Sequence, residues 1–280
     1  AKYYKGQVLL LTDDLAGAEK ILGPFALHLI RGQFEAIINR MKQTLEKYKG
    51  DQRREQGAYR GLAGGLVRAG RYEEALRAFE KYLELSAEAR EPEAGSALPE
   101  LPSRQKGDLF TQGVLQAEAR SFDEARKTAE ELKALIDKGI NRKELRRYEY
   151  ILGLIELGKK NPGRAAKLFG RACGRVDFEN LGSENNQAMY LEGLARALYD
   201  SGSLDGAREN YEKITLLTVG RGARGDIYAR AIYMLGRIAE QQGDKARARE
   251  NYSQFLDLWK DADAGLPEVE DARKRLGGLS

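Results

Sequence analysis

The 280-residue chain exceeds the size that one hydrophobic core usually serves, so several domains or a repeat array must absorb its length. Its 47 basic and 43 acidic residues leave a net charge of +4, too balanced to recruit nucleic acid or an anionic membrane surface. One cysteine, Cys173, excludes an internal disulfide and a thiolate zinc site, and the longest aliphatic run, Val8 to Leu11, falls far short of the roughly 20 residues that span a bilayer.

Ala, Leu, Glu, Lys and Arg dominate, with only 6 prolines, a composition suited to amphipathic helices; strand patterns are scarce. The thiol-poor sequence points to a reducing, cytoplasmic setting. Ala1 stands in place of an initiator methionine, and Lys2-Tyr3-Tyr4 already opens a helical pattern, which marks an excised fragment or a processed chain.

In chain order, residues 1–50 read as irregular helical pairs. Gly6, Leu9, Leu15, Ala18 and Leu22 have helical spacing, and Phe25 to Tyr48 form a second pair turning near Arg31-Gly32. Residues 56–260 then repeat one grammar five times. In the clearest unit Leu62, Ala63 and Leu66 share a helical stripe, Gly70 breaks it, and Ala75, Phe79 and Tyr82 form the next.

A weaker unit has Gly113, then Phe122, Ala125, Ala129 and Leu132. The third has Leu152 and Gly153, Pro162 near its turn, and Ala165, Phe169 and Ala172. The fourth has Leu194, Ala195 and Leu198, then Gly202, then Ala207, Tyr211 and Ile214. The fifth has Leu235, Gly236 and Ala239, then Gly243, then Ala248, Tyr252 and Phe255.

Small residues let two antiparallel helices approach, and the aromatic four residues after the second helix's alanine fills the gap to the next pair. No pair buries its apolar face alone, so stacking supplies the core.

The equivalent residues Ala75, Ala125, Ala165, Ala207 and Ala248 lie 50, 40, 42 and 41 residues apart. Residues 87–106, with Pro92, Pro99 and Pro102 among small and charged residues, read as a loop insertion inside the longest interval. Gly174 to Asn186 and Val219 to Gly225 read as further loops. Residues 266–278 read as a closing helix that caps the array, with Pro267 in its first turn.

The small-small crossings and the alanine-then-aromatic spacing resemble the tetratricopeptide repeat family, in a long-repeat variant of about 40 residues. The resemblance implies an all-α fold, a right-handed α-solenoid of antiparallel helix pairs running as one array over residues 1–280. The closing stretch from Phe255 to Leu276 resembles the end of repeat regions attached to larger bacterial signalling proteins, some of them kinases.

Material for catalysis is poor, so the chain is read as a scaffold and not an enzyme, with no cofactor and no metal. His28 is the only histidine and sits between Leu27 and Leu29. The glycine-rich Val219 to Asp226 lacks the preceding strand and the lysine-serine ending of a phosphate loop, so it reads as a turn into a helix that Asp226 caps. The pairs Asp13-Asp14, Glu73-Glu74 and Asp123-Glu124 open second helices, where unsatisfied amides favour negative charge.

In this family the inner faces of the first helices form a concave groove. The stripe beside the packing face of each first helix places Arg60 and Arg68, then Arg147 and Tyr150, then Met189, Arg196 and Tyr199, then Arg230, Tyr233 and Arg237 along that groove. Arginine with tyrosine suits a protein or peptide ligand, acidic or phosphorylated. The competing expectation is that these arginines pair with acids of adjacent repeats. The family's carboxylate-clamp subgroup places lysine and asparagine where this chain has Arg60 and Gly64, so that specialised function is not expected. The alternative function is homo-oligomerisation, as a structural module of a larger signalling protein.

Overall fold

A computed structural model describes residues 15–22, 24–88, 101–176, 184–217 and 221–279. These residues are all-α, with fourteen α-helices, one short 3-10 turn and no strand among them. The chain divides into two compact units. One combines residues 1–33 with 176–280, and the other is the intervening segment 34–175. The second unit is inserted in sequence between two parts of the first.

The inserted unit opens with α3 (Phe34–Lys47), which packs on α4 (Gln52–Arg68). α4 pairs with α5 (Tyr72–Glu88), α6 (Leu101–Glu118) with α7 (Phe122–Asp137), and α8 (Leu145–Gly158) with α9 (Pro162–Gly174). α1 (Leu15–Leu22) and α2 (Pro24–Ile30) belong to the other unit, with the pairs α10 (Glu184–Asp200)/α11 (Leu204–Leu216) and α12 (Arg221–Gln241)/α13 (Lys245–Leu258) and the closing α14 (Pro267–Gly278).

Each of the five pairs turns by one device. The last turn of the first helix closes with a six-residue amide-to-carbonyl bond, from Arg71 to Leu66, Ser121 to Gln116, Asn161 to Glu156, Ser203 to Leu198 and Asp244 to Ala239, at 2.8–2.9 Å. Such a motif needs the residue before the donor in the left-handed region. Gly70, Gly202 and Gly243 take it at φ +73°, +83° and +81°, and Arg120 and Lys160 take it at +63° and +61°. Next comes a residue suited to start the second helix: Asp244 accepts from the Arg247 amide at 3.0 Å, and Pro162 follows Asn161 at the first position of α9.

The alanine-aromatic stripe of every second helix is core. Ala75, Phe79 and Tyr82, Ala165, Phe169 and Ala172, Ala207, Tyr211 and Ile214, and Ala248, Tyr252 and Phe255 are each at most 2% exposed, as are Ala125, Ala129 and Leu132 of the weakest repeat. The small residues opposite are steric requirements. A methyl group added at Gly153 would lie 2.6 Å from the Phe169 ring, and one at Gly236 would lie 2.8 Å from Tyr252. Gly113 is pressed in the same way against Ile151 of α8, which couples one pair to the next.

Three expectations change in detail. Residues 101–106, read as part of the loop insertion, already belong to α6; residues 89–100 lie outside the described residues. The connections 174–186 and 219–225 are shorter than expected. α9 runs to Gly174 and α10 starts at Glu184, with 177–183 outside the described residues, while α12 is assigned from Arg221 with a break at Arg224 (φ −137°, ψ 35°). The helices read as a pair between Phe25 and Tyr48 turn at Arg31-Gly32 as expected, but α2 packs on α12 and α3 packs on α4. Gly6 and Leu9 lie outside the described residues.

Candidate functional site

The stripe residues divide between the two units. In the inserted unit Arg60 is exposed on α4, with its guanidinium 5.7 Å from the Tyr82 ring centre. Arg68, two turns further on the stripe, folds back to donate to the carbonyl of Gly64 at 2.8 Å. Arg147 on α8 lies 3.9 Å from Glu144 and 6.0 Å from the Phe110 ring centre. Tyr150 is not a surface residue. It is 5% exposed, edge-on to Phe169 at 5.2 Å and tilted against Phe110 at 5.9 Å.

In the other unit Met189 is likewise buried, at 8% exposure, as α10 enters the core. Arg196 and Tyr199 follow on the same helix and are part-exposed. On α12, Arg230 donates to Glu268 of α14 at 2.8 Å, lies 3.6 Å from Asp226 and stands 5.5 Å above the Trp259 ring. Burial works against its charge, but these two carboxylates outweigh that and raise its pKa above the ordinary arginine value. Tyr233 is 6% exposed, packs against Phe255 at 5.3 Å, and donates its hydroxyl to Asp271 at 2.6 Å. Arg230 and Tyr233 are thus bonded to the next helix, the competing outcome the sequence allowed.

Arg237 differs. Its guanidinium stands 5.2 Å from the Tyr199 ring centre and 5.9 Å from that of Tyr233, makes no ion pair within 4 Å among the described residues, and adds its charge to those that lower the Asp271 carboxyl. Its Nε is buried without a hydrogen-bond partner. The Tyr199 hydroxyl is held by Nε2 of Gln241, which keeps that ring in place beside the guanidinium.

Around it, Glu240 and Asp271 join Arg275, Tyr233 and Tyr252 in one network. Tyr252 donates to Glu240 at 2.8 Å, and Arg275 donates to Glu240 at 2.9 Å and also to Asp271. Burial pushes both carboxyls up, but the hydrogen bonds from Tyr252 and Arg275 hold Glu240 below its usual range, and those from Arg275 and Tyr233 do the same for Asp271.

Carboxyls depressed in the folded state contribute stability that is complete above their unfolded values, about 4.3 for Glu and 3.9 for Asp. That contribution is lost as pH falls through the lower folded values. The chemical denaturation midpoint should therefore decline on the acid side of about pH 4, and the double variant Glu240→Gln with Asp271→Asn should show a shallower decline. An identical acid limb in parent and variant would show that other carboxyls set it.

The residues weighed for chemistry have structural uses. His28 donates from Nδ1 to Oε1 of Gln33 at 2.9 Å. Gly225, in the glycine-rich stretch, abuts the backbone of Ile30, and Asp226 is buried beside Arg230. Glu73-Glu74 and Asp123-Glu124 occupy the first turns of α5 and α7; Asp13-Asp14 lie outside the described residues. Cys173, the one cysteine of the sequence, is part-exposed on α9. Among the described residues no three or more His, Cys, Asp or Glu side chains are grouped to hold a metal, and no helix is long and apolar enough to cross a membrane.

No curated protein matches the chain. The family model for the tetratricopeptide repeat matches residues 229–258, the body of the α12/α13 pair. Among solved structures, the chain is similar to a tetratricopeptide repeat protein from Parabacteroides merdae, with 15% identity, 100% of this chain and 99% of the other covered, and a TM-score of 0.54. It is also similar to a chain of the APC/C hetero-tetramer Cut9-Hcn1, with 14% identity, 97% and 54% covered, and a TM-score of 0.53. The α12/α13 pair is thus a tetratricopeptide repeat, and the pairs around it share its turn, its small-residue crossing and its buried aromatic within the same all-helical fold.

Proposed function

We propose that the chain is a protein-protein interaction scaffold, and that the α10–α12 stripe around Arg237 takes an acidic or phosphorylated segment of a partner protein. The observation that carries this reading is the state of Arg237, stacked on Tyr199 and Tyr233 with a buried Nε that has no hydrogen-bond partner and with no ion pair within 4 Å among the described residues. The preceding arginine of the stripe on α12 is already committed, Arg230 to Glu268 and Asp226. Arg196 and Tyr199 extend the same face along α10. Arg60, stacked on Tyr82, offers similar chemistry in the inserted unit.

The test is binding of an acidic peptide library, with and without phosphoserine, to the parent and to the double variant Arg196→Ala, Arg237→Ala. Parent binding should weaken as salt shortens the Debye length from about 10 Å toward 3 Å. The double variant should bind at least tenfold more weakly while its denaturation midpoint stays within about 0.5 kcal/mol of the parent. Equal binding by parent and double variant would remove this stripe as the partner site.

A further inference from the structure

The N-terminal helices are held by contacts made more than two hundred residues away in sequence. Trp259, fully buried just after α13, donates its indole N–H to the carbonyl of Ile30 at 2.9 Å. The amide of Asp263 donates to the carbonyl of Gly32 at 3.1 Å, and the side-chain amide of Gln33 donates to the carbonyl of Asp261 at 3.1 Å. Ala18, Leu27 and Ile30 pack together with Leu258 beside them.

Two glycines make the approach possible. A methyl group added at Gly225 would meet the Ile30 backbone at 2.9 Å, and one at Gly32 would meet the Trp259 ring at 2.9 Å. Gly32 is also at φ +67°, which favours glycine over any other residue.

The segment cannot order itself. α1 has 8 residues and α2 has 7, well under the 12 to 15 or so at which an isolated helix becomes even marginally stable, so its helicity depends on this seat. The seat, by contrast, is built on α12 and α13, of 21 and 14 residues, which pair with each other. A short dependent element on an independently formed seat is the arrangement that opens locally before the whole unfolds.

We propose that Gly225, Leu258 and Trp259 form a helix-binding slot that residues 15–33 occupy in cis as a releasable strap, and that the vacated slot accepts in trans a short amphipathic helix of the same pattern, apolar at Leu27 and Ile30 and ending in a glycine turn. The slot meets the arginine stripe at Arg230, which stands over Trp259, but does not include Arg237. It selects by close backbone approach and one indole hydrogen bond, where the stripe selects by charge.

Trp259 is the only tryptophan of the chain, so its emission reports the slot directly. In the full-length parent, amide exchange at residues 26–33 should be at least tenfold faster than in α13. Full-length Ile30→Asp should shift Trp259 emission to the red. A synthetic peptide of residues 15–33, which lacks tryptophan, should then restore the blue emission saturably. The same peptide carrying Ile30→Asp should not, and the parent should need at least tenfold more wild-type peptide to respond.

Gly32→Val, which keeps Ile30 but strains the turn against Trp259, repeats the test should Ile30→Asp fail to fold. The proposal is overturned if the strap amides exchange together with those of α13, if both variants unfold the chain, or if a folded variant with red-shifted emission does not respond to the peptide. None of these outcomes bears on Arg237, so the slot and the stripe stand or fall separately.

Discussion

Phe169→Ala should lower stability by about 3 to 5 kcal/mol, the range for emptying a large aromatic site in a core that cannot fully collapse. Phe169 has no exposed surface, its ring lies against the position where Gly153 has no side chain, and Tyr150 meets it edge-on at 5.2 Å. The alanines one turn away on either side, Ala165 and Ala172, are too small to fill the space. Guanidinium denaturation followed by circular dichroism measures the loss. A midpoint within about 0.5 kcal/mol of the parent would place Phe169 outside the inter-helix core.

Helix pairing was legible in the residues because it rests on local chemistry. Alanine followed four residues later by an aromatic marks the buried stripe of four second helices, where Ala75/Phe79, Ala165/Phe169, Ala207/Tyr211 and Ala248/Tyr252 are all core, although Ala195/Tyr199 and Ala229/Tyr233 carry the same spacing on first helices. The turn was legible only at Gly70, Gly202 and Gly243, where the residue type declares the left-handed backbone. Arg120 and Lys160 adopt the same backbone without declaring it, because the hydrogen bond closing the helix compensates a modest strain at residues that expose their side chains.

What the residues hid is long-range. Nothing local to His28-Leu29-Ile30 or to Trp259 shows that they meet, and the division of α2 from α3 between two units follows from that contact. The stripe was legible as a helical face but not as a surface. Whether Tyr150, Met189 or Tyr233 is buried depends on the neighbouring helix, and Phe110, Phe169, Phe255 and Asp271 cover two of the three in ways that helical periodicity cannot show. Asp271 and Glu268 lie in the closing helix and reach back to Tyr233 and Arg230 of α12.

Tyr252→Ala should cost about 3 to 5 kcal/mol by the same argument as Phe169, since its ring is fully buried against Gly236 and 6.2 Å from Tyr233. Here a second variant separates packing from polarity. Tyr252→Phe keeps the ring in place and removes only the hydroxyl that donates to Glu240 at 2.8 Å, so it should cost about 1 kcal/mol, because Arg275 still holds that carboxylate and water reaches it. The phenylalanine variant removes one of the two hydrogen bonds that depress Glu240, so the Glu240 pKa should rise and the acid limb of the stability profile should begin at higher pH than in the parent. Denaturation midpoints of both variants between pH 7 and pH 3 measure the two effects. Equal losses in the alanine and phenylalanine variants at pH 7 would mean that the hydroxyl, and not the ring, holds α13 against α12.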